Sequence, residues 1–226
     1  FGAETWDGES WKNRSGVNTW GFISVDPALG LVYLPIGSPS YDFYGGDRKG
    51  ANLFSDSIVA LDAMTGAYRW HFQAVHHDTW DFDFTAPPVL FDVVRNGQRV
   101  PALAESSKQG FVYILDRRTG TPIFGMGERP VPPSDVPGEQ SWPTEPFPVK
   151  PRALSRQSFK PDELARLTPE HEKFCADLLA SEGGMGNGGP FTRYNTTLSI
   201  QFPGTLGSSN WHGMSYDPVN GLLFGN

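Results

Sequence analysis

Ala60-Leu61-Asp62-Ala63-Met64-Thr65-Gly66-Ala67-Tyr68-Arg69-Trp70 reads as a strand, a tight turn and a second strand closed by a tryptophan. The aspartate starts the turn because its side-chain oxygen accepts from nearby backbone, and the glycine supplies the backbone freedom that the turn needs. Val112-Tyr113-Ile114-Leu115-Asp116-Arg117-Arg118-Thr119-Gly120 repeats the hydrophobic run into the same Asp-x-x-Thr-Gly turn. Val25-Asp26-Pro27-Ala28-Leu29-Gly30-Leu31-Val32-Tyr33 and Tyr216-Asp217-Pro218-Val219-Asn220-Gly221-Leu222-Leu223-Phe224 are two copies of a sister hairpin. Self-similar hairpins of short strands point to a propeller or another radial β repeat. A β-sandwich also contains many hairpins, but it would not reuse one hairpin sequence four times.

Just beyond the strand-like run Tyr68–Val75 lies His76-His77-Asp78-Thr79-Trp80-Asp81-Phe82-Asp83, and further on Lys108-Gln109-Gly110. Two imidazoles, three carboxylates and an indole share eight residues, and a lysine follows. Such a cluster costs stability if buried without partners. By composition it is either a solvated turn with an aromatic plug or a working site. A zinc site at His76 and His77 is disfavoured, because neighbouring residues on a strand point to opposite faces. Both histidines therefore read as structural, or as support for Asp81.

The order of these motifs resembles the quinoprotein dehydrogenases, eight-bladed propellers that hold pyrroloquinoline quinone (PQQ) in a central channel, and most of all their glucose dehydrogenase group with its quinate and polyol relatives. The resemblance rests on Asn18-Thr19-Trp20-Gly21, Val32-Tyr33-Leu34-Pro35, Ala60–Trp70, Val75–Asp81, Lys108–Gly120 and Asn210-Trp211. The Val-His-His-Asp-x-Trp-Asp and Lys-x-Gly…Leu-Asp-Arg-Arg runs are specific; a single Asp-x-x-Thr-Gly turn is weak. The fold this implies is all-β: a partial eight-bladed β-propeller with long loops and one short helical insertion.

The resemblance also implies roles. Oxidising an alcohol needs a base for the hydroxyl proton, an electrophile for the hydride and a group to hold negative charge on the acceptor. PQQ supplies the electrophile. Asp81 matches the general base, whose structural rival is a turn acceptor. Lys108 matches the residue that hydrogen-bonds the quinone oxygens, against the ordinary surface lysine. Trp20 matches the indole floor under the cofactor, while Trp6, Trp11, Trp70 and Trp142 read as core. Asn210 matches a cofactor-contacting amide, with Trp211 beside it. For a divalent metal the implied ligands are Asp81, Asp83 and Ser38. In the methanol-oxidising relatives an asparagine stands where this chain has Gly37-Ser38-Pro39. A serine oxygen still suits a hard ion, so Ca²⁺ is the expected metal. Asp83 resembles the extra carboxylate of lanthanide-using relatives, but glucose-type enzymes share the Asp-x-Asp, so it diagnoses no lanthanide.

The rest of the chain sets bounds. A propeller blade takes roughly 40–50 residues, so 226 residues hold only a few blades. With Phe1 at its start and a stop just after a strand, the chain is expected to be a piece of a longer enzyme, inactive in isolation. A net charge of −7 argues against a nucleic-acid partner. No apolar run approaches a membrane helix. A signal peptide or anchor preceding Phe1 is compatible with the sequence, and the resemblance implies a periplasmic location. Cys175 is the single cysteine, so no internal disulfide is possible.

Residues 1–20 read as a loop, Gly37–Phe54 as another, and Pro87–Val94 with Val100–Ala104 as a hairpin around Asn96-Gly97. Met126–Pro151 is proline-studded, which excludes regular helix and central strand; Trp142 and Phe147 suggest a loop ordered over the propeller. Residues 161–180 carry the helical signal, with Thr168-Pro169 as cap and first turn and Leu167, Phe174 and Leu178 on one side. Gly183–Gly189 reads as flexible and is no phosphate loop, since no Lys-Ser/Thr follows. Phe191–Phe224 reads as β. The expected organisation is one propeller domain over 1–226 with a loop and helix insertion at 126–190.

Two functions compete. One is a PQQ-dependent dehydrogenase of a sugar, polyol or related alcohol, passing electrons to quinone or a cytochrome. The other is a non-catalytic propeller of the same repeats that binds proteins as a scaffold. A scaffold has no reason to keep a Trp-Asp base, a Lys-x-Gly and a Trp-Gly floor together.

Overall fold

The computed structural model describes residues 1–181 and 185–225. Its strands form antiparallel sheets. The first sheet takes β1 (Ser24–Asp26), β2 (Leu31–Pro35), β3 (Ser57–Asp62) and β4 (Tyr68–Gln73) in chain order, as a propeller blade does. The second takes β5 (Val89–Arg95), β6 (Gln98–Ser106) and β7 (Val112–Asp116). Two ribbons follow: β8 (Met126–Pro130) with β9 (Thr144–Pro148), and β10 (Met214–Asp217) with β11 (Leu222–Gly225).

The four repeated turns share one construction. Oδ1 of Asp26 accepts from the amides of Ala28 and Leu29, and Oδ1 of Asp62 from those of Met64 and Thr65. Oδ1 of Asp116 accepts from Arg118, and Oδ1 of Asp217 from Val219 and Asn220. Each turn ends in a glycine with positive φ: 64° at Gly30, 72° at Gly66, 74° at Gly120 and 67° at Gly221. The Asn96-Gly97 turn has φ of 51° and 75°, the left-handed pair that a two-residue hairpin requires.

The first two sheets interlock through the same motif. The Trp70 ring lies against Gly120, where a Cβ would come within 2.5 Å of it. The carbonyl of Arg117 accepts from the hydroxyl of Tyr33 at 2.9 Å and the indole of Trp70 at 3.2 Å. The Arg117 guanidinium reaches back to Asp26 at 2.6 Å. Between the sheets lies a buried apolar core that includes Tyr33, Ile58, Trp70, Trp80, Phe82, Leu103, Tyr113 and Leu115. Filling it with large side chains is the main source of stability, each contributing roughly 1.5–3 kcal/mol.

Several expectations need correcting. Trp11 is 44% exposed and no part of the core, whereas Trp6 and Trp70 are buried. Within the strand-like run Tyr68–Val75, the strand itself is β4, ending at Gln73. The proline-rich stretch holds the edge-only ribbon β8–β9, which tolerates proline because few of its amides need partners. The helix is Pro169–Ala180 (α1), capped by Thr168 accepting from the His171 amide, with only a short 3₁₀ turn at Pro161–Glu163 before it. Leu167, Phe174 and Leu178 are exposed, so α1 contributes no side chain to the core. Phe191–Phe224 forms no strand before Met214; its glycines and polar residues give no alternation to hold a ladder. Gly183 and Gly184 of the glycine stretch lie outside the described residues.

Candidate active site

Sheet register decides where the loops meet. In the first sheet Pro35 pairs with Ile58, and Ser57 with Gln73. The chain before β1 and the chains after β2 and β4 therefore leave from one end, and the Asp turns occupy the other. Trp20, Ser38, Asp81 and Asp83 sit on these three connections.

The structure brings them together with Lys108, which follows β6. The Lys108 ammonium donates to Oδ2 of Asp81 and to Oδ2 of Asp83, each at 2.6 Å. Ser38 donates its hydroxyl to Oδ1 of Asp81 at 3.1 Å and its amide to Oδ1 of Asp83 at 2.6 Å. Lys108 lies 5.9 Å from the Trp20 ring centroid. The Trp20 and Trp211 rings meet edge to face at 4.3 Å. The loop carrying Trp211 is tied down by the Ser208 amide on the Lys108 carbonyl at 2.9 Å. Gly207, with φ of 82°, presses so near Lys108 that a Cβ would meet its side chain at 2.7 Å.

Asn210 is the least integrated of the sequence candidates. Its amide nitrogen donates to the Leu206 carbonyl at 2.9 Å. Its Oδ1 is buried and has no partner among the described residues, and neither has the hydroxyl of Thr19 beside Trp20. Buried acceptors and hydroxyls without partners are uncommon and call for a ligand or water.

Electrostatics follow from this packing. Burial, and after it the neighbouring Asp83, pushes the Asp81 carboxyl up to about 7, although Lys108 pulls the other way. Burial would lower the Lys108 ammonium, but the two carboxylates outweigh it and the net direction is up. The side chains of Lys108 and Asp83 are each 6% exposed, whereas Asp81 is 25% exposed and the accessible member. Asp81 also has φ of 64°, a left-handed conformation unusual for a residue with a side chain. Strain of this kind concentrates at functional sites.

The turn that presents Asp81 is gripped from outside the first two sheets. Trp80 is fully buried; its indole donates to the Thr192 carbonyl at 2.7 Å, and the Arg193 guanidinium stacks 4.2 Å from its ring. Glu145 accepts from the His76 amide at 2.7 Å. His77 is enclosed between the Gly50 carbonyl at 2.9 Å and Glu139 at 2.5 Å, so it is structural and touches neither Asp81 nor a metal group. Glu139 and Glu145 escaped sequence reading because their only signal is charge inside a proline-rich stretch, and Arg193 because it is a lone charge after the glycine stretch.

Among the described residues no three His, Cys, Asp or Glu side chains meet as a metal-holding group. The oxygens of Asp81, Asp83 and Ser38 are of the right class for a hard cation, with the Lys108 ammonium drawn onto two of them.

Comparison with known proteins extends this. The PQQ family described as "Glucose/ethanol/alcohol dehydrogenase, beta-propeller domain" matches residues 2–226. The chain is 38% identical over 221 residues to quinate/shikimate dehydrogenase (quinone) of Acinetobacter baylyi, covering 97% of this chain and 27% of that protein. It is 38% identical over 218 residues to the glycerol dehydrogenase large subunit of Gluconobacter thailandicus, covering 95% and 29%. Among solved structures, a europium-containing methanol dehydrogenase superposes with a TM-score of 0.65 at 27% identity, over 97% of this chain and 31% of that one. The chain thus spans about 27% of the length of the first of these relatives.

Proposed function

The chain belongs to the PQQ family of glucose/ethanol/alcohol dehydrogenase β-propellers, and we propose that it carries the catalytic face of a dehydrogenase acting on the CH–OH group of a sugar, polyol or related alcohol. One observation carries the reading: a strained, partly accessible Asp81 at 2.6 Å from a nearly sealed Lys108, beside the half-exposed indole of Trp20.

The fit to PQQ rests on that indole and on the buried oxygens of Asn210 and Thr19, which lack partners among the described residues. PQQ, when bound, would supply the electrophilic ortho-quinone as hydride acceptor. The chain's own groups do the rest. Trp20 offers a flat apolar surface for stacking, and Trp211 braces it edge-on. Asp81, ionised, accepts the hydroxyl proton, and its partial exposure leaves room for a substrate. Lys108 is held by Asp83 so that its ammonium stays charged beside the more exposed Asp81, where it can donate to an oxygen gaining negative charge. Asp81, Asp83 and Ser38 would hold a divalent cation, Ca²⁺ by their hard-oxygen character, which adds Lewis acidity beside the quinone.

The electrons pass to quinone or a cytochrome, and the working compartment is the periplasm. No described helix is long and apolar enough to cross a membrane. Residues 126–190 are an insertion within a single propeller domain, and their grip on residues 76–80 supports that organisation. The test uses the full-length enzyme: reconstitute it with PQQ and Ca²⁺ and assay turnover on quinate, glycerol, glucose and simple alcohols with an artificial electron acceptor. PQQ-dependent turnover on one class is expected. Failure to bind PQQ at all would remove the reading and leave a protein-binding scaffold.

A further inference from the structure

Asp78 takes no part in the chemistry above, yet its side chain is fully buried and both its oxygens are committed. Oδ1 accepts from the Trp80 amide at 2.7 Å and Oδ2 from the Phe82 amide at 2.8 Å. Asp81 is the residue enclosed between those two amides, and it is the one with φ of 64°. Asp78 is itself fixed from behind: buried Arg48 donates to its backbone carbonyl and to Asn52 Oδ1 at 2.7 Å.

We propose that Asp78 is a positioning residue for Asp81, a two-pronged acceptor that bends residues 80–82 into the left-handed turn presenting Asp81 to Lys108 and Ser38. The inference rests on reading Asp81 as the base. A carboxylate suits the task because it offers two acceptors and no donor. An asparagine keeps one acceptor and turns an NH₂ toward the other amide; an alanine leaves both buried amides unpaired. Without the two bonds nothing else among the described side chains holds the amides of Trp80 and Phe82. Asp81 then relaxes toward ordinary φ and its carboxylate leaves the Lys108 ammonium.

The test compares Asp78→Asn and Asp78→Ala in the full-length, PQQ-loaded enzyme. Turnover per bound PQQ should fall about 10-fold in the first and about 100-fold in the second, the scale of an ångström-level misplacement of a reacting group. KM and PQQ occupancy should stay near wild type, a split that a general loss of structure would not give. Should Asp78→Ala not fold, the isosteric Asp78→Asn carries the comparison. A crystal structure of Asp78→Asn supplies the independent reading: Asp81 is expected to have left Lys108. Unchanged turnover per bound PQQ in Asp78→Asn, or Asp81 still paired with Lys108 in that crystal, would overturn the proposal. Asp81→Asn runs beside it. Retained turnover there would refute the base reading alone, while the place of Asp81 in the Asp78→Asn crystal still decides whether Asp78 positions it.

Discussion

Trp20 and Gly37 approach so closely that no side chain fits between them: a Cβ on Gly37 would stand 2.7 Å from Nε1 of Trp20 and 2.5 Å from Oδ1 of Asp83. Asp83 cannot yield, since the Ser38 amide and Lys108 hold it. Gly37→Ala must therefore push the indole aside. Overpacking typically costs about 1–3 kcal/mol, and each 1.4 kcal/mol is tenfold in affinity. PQQ titration of the full-length variant should show affinity weakened about tenfold, with the melting temperature lowered by the same clash.

Asp81→Asn keeps the shape of the carboxylate but cannot take the hydroxyl proton. Full-length enzyme carrying it should bind PQQ and lose about 10²–10⁴-fold in turnover, the usual contribution of a general base. PQQ absorbance and acceptor-linked turnover, measured on one preparation, check this. Full occupancy with undiminished turnover would assign the base elsewhere.

Lys108→Ala removes the cation between Asp81 and Asp83. If the ammonium serves charge that develops during reaction, turnover should fall far more than PQQ affinity. Near-normal turnover with loosened cofactor would make Lys108 a binding residue only.

Metal removal should act through the same carboxylates. Chelation of the full-length enzyme is expected to lower turnover and Ca²⁺ to restore it. Activity indifferent to chelator would mean that Asp81, Asp83 and Ser38 serve Lys108 alone.

Acid stability should report the His77–Glu139 contact. Burial alone would raise the Glu139 carboxyl, but hydrogen bonds from His77 and the Gly45 amide outweigh it and hold it at about 2, below its ordinary 4.5. A carboxyl depressed on folding adds stability that is full above its unfolded value and is lost as pH falls through the folded one. The melting temperature should therefore drop between pH 4.5 and about 2, and Glu139→Gln should flatten that slope. An identical slope in the variant would discount the contact.

The sheets were legible because their signals are local. An aspartate and a glycine within a few residues specify each turn, and Asn96-Gly97 specifies its own. Trp20, Asp81 and Lys108 could be named through resemblance, and Lys108 lies on Asp81 and Asp83 as one cluster. Trp11 misled because an aromatic in a loop carries no sign of which way it faces. Asp78 was read as one charge among several, since its two acceptor bonds depend on the path of the backbone around Asp81. Glu145 and Arg193 were silent because what they touch lies across the fold.

That distance has a consequence in time. The turn bearing Asp81 is held by partners 62, 69, 112 and 114 residues along the chain, at Glu139, Glu145, Thr192 and Arg193. The hairpins need only neighbours to close, whereas such remote pairings must first overcome the entropy of bringing long loops together. Strands and Asp turns are therefore expected to assemble before the turn that bears Asp81 takes its shape. If Asp81 is the base, competence is expected to come late in folding and to be lost early when the contacts to Glu139, Glu145, Thr192 and Arg193 open.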